Sequence, residues 1–234
     1  MAESFSPELI VWCFAAGTAG LAVGKRMPQM SLSLIKYKEA KKGKAYECYL
    51  FPAWRNWLYA AALAVIWTWI IVVYWRNPLQ TVFVAVLSTV AMMIIYIDNR
   101  YRIIANEITL PLMIGGLALN LAVGGIKGAA GSLAAAAIGF LLCMVSVAIT
   151  RNKGAVGAGD VKLMMAAALV SGYPGFMYLL MFMAAAMGIY CVAGLYTRRL
   201  TLKSYFPMGG FIAAGMVFAF FEGSLMPWLY QMFR

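Results

Sequence analysis

The chain has 234 residues, of which 64% are hydrophobic and only 12% are charged, and its mean hydropathy is +0.82. This composition excludes a soluble globular domain, which needs far more polar surface to stay in water. The net charge of +11 would suggest a nucleic-acid partner in a soluble protein, but here the basic residues fall between apolar runs, where they set membrane topology. We therefore expect a multi-pass membrane protein with no nucleic-acid partner.

Apolar runs of about 17–22 residues recur along the chain, each long enough to cross roughly 30 Å of hydrocarbon. Because lipid cannot satisfy backbone polar groups, and the alternating polar positions of a barrel are missing, these runs predict helices. The predicted fold class is all-α, with about eight transmembrane helices and the N-terminus outside. The expected spans in chain order are about 7–24, 57–75, 78–97, 107–124, 129–149, 155–172, 175–196 and 206–222.

The basic residues concentrate in alternate connections between these spans. The outer connections keep only Arg76, Lys127 and Arg234, so 16 of the 19 Lys and Arg residues fall on the inner side. This split is what the positive-inside rule predicts for an inner-membrane protein. The segments that we expect to be cytoplasmic are 25–56, 98–106, 150–156 and 197–205.

The predicted spans divide the chain into two regions. Residues 1–77 would hold two transmembrane helices and the basic cytoplasmic loop 25–56, and residues 78–234 would form a six-helix core. The loop is rich in basic and aromatic residues, which favours a surface resting on the anionic headgroups of the bilayer. A docking surface for a substrate is the alternative.

Asp98 and Asp160 are the only aspartates of the chain, which contains no histidine. The predicted topology places each at the cytoplasmic end of a span, where ionisable groups are costly and usually functional. Without histidine, Ser-His and Cys-His pairs are excluded, and the four cysteines lack the spacing of metal ligands, so no metal or cofactor is expected. Two carboxylates in contact share a proton, so that one can act as a base toward water and the other as an acid.

Asp98 also has a structural interpretation, because Arg100 and Arg102 follow it closely. It could be a carboxylate at headgroup level that pairs with arginine. Asp160 ends a Gly-x-Gly-Asp sequence formed with Gly157 and Gly159. Glycines permit unusual backbone angles and remove side chains, so a substrate backbone could lie beside the carboxylate.

These segments resemble the type IV prepilin peptidase family, the bacterial leader peptidases of the Gly-x-Gly-Asp aspartyl class, over residues 78–222. Segment 97–106 reads Ile-Asp-Asn-Arg-Tyr-Arg-Ile-Ile-Ala-Asn and is similar to the family's first aspartate segment. Segment 157–163 reads Gly-Ala-Gly-Asp-Val-Lys-Leu and is similar to the second, and Phe-Pro-Met at 206–208 resembles the start of the last helix. The resemblance implies that Asp98 and Asp160 are catalytic.

The resemblance also implies a reaction and a substrate. A membrane aspartic endopeptidase would cleave the short basic leader of pilin or pseudopilin precursors at the cytoplasmic membrane face. Gly157, Gly159, Lys162 and Asn106 would bind substrate or shape the site. Lys162 could equally be one more positive charge of the inner face.

Two departures from the family's pattern carry predictions. Ala105 stands where the family has proline, and we expect Asn106 to cap the following helix, with Glu107 favourable in its first turn. The paired Cys-x-x-Cys motifs of the methylating enzymes are missing, since Cys48 is the only cysteine of segment 25–56. The chain is more similar to the short peptidases of tight-adherence (Flp) pili, and its methyltransferase activity is in doubt.

Two other functions remain open from the residues alone. A proton-coupled carrier could use the two carboxylates as a relay, but it should show inverted repeats and charges at the membrane midplane. A presenilin-like protease shares Gly-x-Gly-Asp. That group has Tyr directly before its first Asp and Pro-Ala-Leu near its end, where this chain has Ile97 and Pro207-Met208-Gly209.

Overall fold

The computed structural model describes residues 7–43, 45, 46, 48, 52–150, 157–198 and 208–232. Over these residues it contains α-helices and no strand, which confirms the predicted all-α class. Of the predicted segments, 151–156 and 199–207 lie outside the described residues, and so do Phe206 and Pro207 of the resemblance. The helices are α1 (Pro7–Lys42), α2 (Ala53–Tyr74), α3 (Pro78–Tyr101), α4 (Asn106–Thr150), α5 (Ala158–Tyr196) and α6 (Met208–Met232).

Five of these helices, α1 to α5, are long and apolar enough to cross a membrane, and the described part of α6 holds a shorter apolar helix, Met208–Phe221. Large side chains such as Phe14, Val123 and Tyr196 are more than 70% exposed, as suits surfaces that face lipid. The described chain is therefore that of a polytopic membrane protein. The count of eight crossings stays a prediction.

Helices α4 and α5 are each interrupted once. With 45 and 39 residues, either would be about twice as long as the hydrocarbon core is thick if it were straight. Gly125 leaves helical geometry with φ 59° and ψ −153°, between the fourth and fifth predicted spans. Gly172 (φ 62°), the last residue of the sixth predicted span, and the extended Tyr173 after it interrupt α5. Glycine suits both breaks because it adopts positive φ without steric cost.

The chain divides into two compact units, Met1–Tyr101 and Arg102–Arg234. In the first, α1 and α2 pack closely along glycines. A Cβ on Gly24 would lie 2.5 Å from the Cα of Ala60, and one on Gly20 would lie 2.9 Å from the Cα of Ala64. Small residues thus let the two helices approach, as in membrane helix pairs. The predicted division after residue 77, into two helices with a basic loop and a six-helix peptidase core, stays a prediction.

The described part of the expected loop 25–56 is mostly helical, and residues 44, 47 and 49–51 lie outside it. Residues 25–42 continue α1 without interruption, and α2 already begins at Ala53. Met27 and Ile35 are buried along this extension, so an apolar stripe supports the helix beyond the predicted span. Lys25, Arg26, Lys36 and Lys41 are exposed on this helix, whereas Lys38 is buried.

The second unit is organised around α5, which packs against α4 and α6. Gly139 of α4 fits beside Met164 and Phe176 of α5, where an added Cβ would come within 3.1 Å of either side chain. Between α5 and α6 the rings of Phe182 and Phe218 stack at 4.6 Å. Both neighbours of α5 therefore hold it through close contacts.

We predict that Cys48, which is exposed, is on the cytoplasmic side. In whole cells, a variant with Cys48 as its only cysteine should react with a membrane-permeant maleimide and not with an impermeant one. A variant with its only cysteine at Asn77, in the expected outer connection, is the control and should react with both reagents. Labelling of Cys48 from outside would contradict the topology based on charge.

Candidate active site

Asp160 lies in the first turn of α5 and is half-buried. The helix follows the extended residue Gly157 (φ −69°, ψ 142°), and the Gly157 N–H donates to Asp160 Oδ2 at 3.3 Å. A carboxylate at this position also faces the positive end of the helix dipole. The backbone therefore holds the side chain at the helix start.

Each of the two motif glycines lies close to one other residue of the chain. A Cβ on Gly157 would lie 2.9 Å from Asp160 Oδ2, so a side chain there would press on the carboxylate. A Cβ on Gly159 would lie 3.1 Å from the Cβ of Ile104. Gly159 thus allows segment 102–105 to pass close to the start of α5. Contact of these glycines with a substrate stays a prediction.

Asn106 and Lys162 are brought together at the starts of α4 and α5. Lys162 Nζ donates to Asn106 Oδ1 at 3.3 Å, and both residues are exposed. The expected cap at Asn106 is wrong, because the Ala105 carbonyl accepts the first helical bonds, from the N–H groups of Ile108 (3.0 Å) and Thr109 (3.1 Å). Ala105 therefore occupies the cap position. Asn106 lies one residue inside the helix, and its side-chain oxygen accepts the bond from Lys162.

Asp98 belongs to the first unit, where it lies in the last turn of α3 with only 5% of its surface exposed. The structure thus gathers Asp160, Gly157, Gly159, Lys162 and Asn106 in the second unit. The pairing of Asp98 with Asp160 stays a prediction.

A polar network that the sequence did not suggest surrounds the end of α3. The hydroxyl of the fully buried Tyr96 donates to Asn56 Oδ1 at 3.3 Å and accepts a bond from Arg100 Nη1. Asn99 Nδ2 donates to the Tyr59 hydroxyl at 3.1 Å. The rings of Tyr59 and Tyr96 also meet edge to face at 5.2 Å. These bonds hold the end of α3, which carries Asp98, against α2. Arg100 is part of this network through its bond to Tyr96.

Asn120 is a second residue that sequence reasoning missed. Its Nδ2 donates to the carbonyls of Leu169 (2.8 Å) and Val170 (3.3 Å), just before the break in α5. Those carbonyls lack their usual helical donors, because Tyr173 is extended and Pro174 has no N–H. The sequence did contain a signal for this contact. Asn120 is an amide side chain within an apolar run, and such residues often form hydrogen bonds between helices in membranes.

Among the described residues, no group of three or more His, Cys, Asp or Glu side chains could hold a metal ion. The chemistry available at the start of α5 is that of a carboxylate with an amide and an ammonium nearby. A carboxylate in such a place can accept a proton from water.

Comparison with known proteins gives one match. No curated protein and no solved structure matches the chain. Residues 85–192 match the family model described as the type IV leader peptidase family. The matched range contains Asp98, Asn106, Gly157, Gly159, Asp160 and Lys162. The resemblance drawn from the sequence is confirmed over residues 85–192, which are similar to the type IV leader peptidase family.

Proposed function

We propose that the protein is a membrane aspartic endopeptidase that removes the short basic leader of pilin-like precursors at the cytoplasmic membrane face. The observation that carries the proposal is the family match over residues 85–192, which contains both aspartates of the chain. The position of Asp160 supports it, since the Gly-x-Gly-Asp motif places a half-buried carboxylate at a helix start.

In the proposed mechanism Asp98 and Asp160 share one proton. The ionised carboxylate takes a proton from water, which attacks the carbonyl carbon of the scissile peptide bond. The protonated carboxyl donates a hydrogen bond to the carbonyl oxygen. The carboxyl that took the proton from water then gives it to the nitrogen of the departing amine as the C–N bond breaks. Lys162 and Asn106 would support the loop-to-helix geometry around Asp160 through their mutual bond.

The test uses the purified full chain in detergent or proteoliposomes. The substrate is a precursor with a short leader containing Lys and Arg, followed by a transmembrane helix. We expect one cleavage between the leader and the apolar helix, with the new N-terminus identified by mass spectrometry. An intact precursor under conditions where the protein stays folded would overturn the proposal.

We also predict that the enzyme cleaves without methylating its product. Segment 25–56 holds a single cysteine, Cys48, and lacks the Cys-x-x-Cys pairs of the methylating enzymes. With S-adenosylmethionine present, the mass of the processed N-terminus should equal that of the cleaved peptide alone. A mass increase of one methyl group that depends on this protein would contradict the prediction, and a short form as in Flp pilus systems would then be the wrong comparison.

A further inference from the structure

Glu107 has a carboxylate oxygen without a hydrogen-bond donor. Its Oε2 is enclosed, and it accepts no hydrogen bond from any residue that the structure describes. An enclosed carboxylate oxygen that lacks a donor is costly, so such atoms usually have a partner in the working protein. Glu107 is the second residue of α4, where the helix dipole favours negative charge. The dipole lowers this cost but supplies no donor to Oε2.

Glu107 is close to the candidate active site through its neighbour in sequence. Asn106, the preceding residue, binds Lys162, and Lys162 is two residues from Asp160. The Lys162 ammonium is bonded to Asn106 Oδ1, and no bond from it to Glu107 is present. Because Oε2 is enclosed, the Glu107 side chain must turn outward to meet a donor from outside the described chain.

We propose that Glu107 binds a basic side chain of the precursor's leader, as a specificity-determining residue of the site. This inference rests on the proposed function. The inner face is expected to carry 16 of the 19 basic residues, so it repels a basic leader almost everywhere. A carboxylate that contacts the leader would reverse that repulsion locally. Lys or Arg would supply both the missing donor and the opposite charge, in a charge-assisted hydrogen bond.

The test is a double-mutant cycle between enzyme and substrate. Two precursors are compared that differ only in the leader, one with Lys and Arg and one with Gln at the same positions. Glu107→Gln should lower kcat/KM for the basic leader by about 10- to 100-fold, mainly through KM, because one hydrogen bond between charged groups is lost. On the Gln leader the same variant should cleave at nearly the wild-type rate, so the two changes are not additive.

Glu8→Gln is the matched control, since Glu8 is also a first-turn glutamate of an apolar helix. It should leave both rates unchanged. Glu107→Lys should cleave a precursor with Glu in the leader faster than one with Lys, which loss of stability alone would not produce. An equal loss on the basic and neutral leaders, as expected if Glu107 pairs with a basic residue of its own chain, would overturn the inference while the proposed function stands. If the wild-type protein cleaves neither precursor, the inference on Glu107 and the proposed function are both wrong.

Discussion

Asp98→Asn and Asp160→Asn should each reduce leader cleavage by about 10⁴-fold or more, the scale of loss when one member of a catalytic unit is removed. Asparagine keeps the size and most of the hydrogen bonding, but it cannot accept a proton as a base or share one with a second carboxyl. At position 160 its amide oxygen can still accept the bond from the Gly157 N–H, so α5 should begin normally. Expression and membrane insertion should therefore be unchanged.

Gel-shift processing of the basic-leader precursor measures this effect. The double variant should be little worse than either single one, because the two residues act as a unit. Lys162→Met and Arg100→Gln are the controls and should cost much less, since these residues bond to Asn106 and to Tyr96. Glu at either aspartate position should fail or nearly fail, because the added methylene moves the carboxyl by more than about 0.5 Å. Substantial cleavage by either Asn variant would show that the dyad is not the catalyst.

Gly116→Leu should prevent stable folding of the second unit, whereas Gly115→Leu should be tolerated. A Cβ on Gly116 would lie 2.6 Å from the backbone nitrogen of Val170 and 2.7 Å from its Cα, and a rigid helix backbone cannot move aside cheaply. One on Gly115 would meet nothing within 4 Å. Even Gly116→Ala should cost about 1–3 kcal/mol through overpacking. Gly115→Ala should gain up to about 1 kcal/mol of helix propensity.

Unfolding midpoints in detergent, together with the level of protein in the membrane, measure this difference. Cleavage should fall with Gly116→Ala more than with Gly115→Ala, because Asp160 lies on the helix that Gly116 contacts. Equal midpoints for the two alanine variants would mean that α4 and α5 do not approach as the structure describes.

The fold was largely predictable, because apolar run length and charge are strong signals for helices in lipid. The break at Gly125 falls between two predicted spans, and the break at Gly172 falls on the last residue of one, where turn-forming residues interrupt the apolar pattern. The helical course of residues 25–42 was missed, because basic residues read as a loop when their burial against other helices is unknown. Met27 and Ile35 supply that burial.

The candidate site was predictable only where a motif marks it. Gly-x-Gly-Asp pointed to Asp160, and the scarcity of aspartate pointed to Asp98. The bond from Lys162 to Asn106 joins residues 56 positions apart, and no spacing rule predicts it. Tyr96 read as one more aromatic of an apolar run, although its hydroxyl accepts the bond from Arg100. Sequence patterns indicate the type and local setting of a residue, whereas the hydrogen-bond partners of Lys162 and Tyr96 depend on tertiary contacts.

The bonds from Asn120 to Leu169 and Val170 impose an order on membrane insertion. Carbonyls left open at the break of α5 are expensive in hydrocarbon, where no water can replace the missing donors. Their donor is the side-chain amide of Asn120 in α4. Because α4 is synthesised before α5, this amide is already in the bilayer when α5 inserts. A circular permutant that begins with α5 would have to insert this broken helix before its donor exists, and it should accumulate poorly even though every contact of the finished fold is available to it.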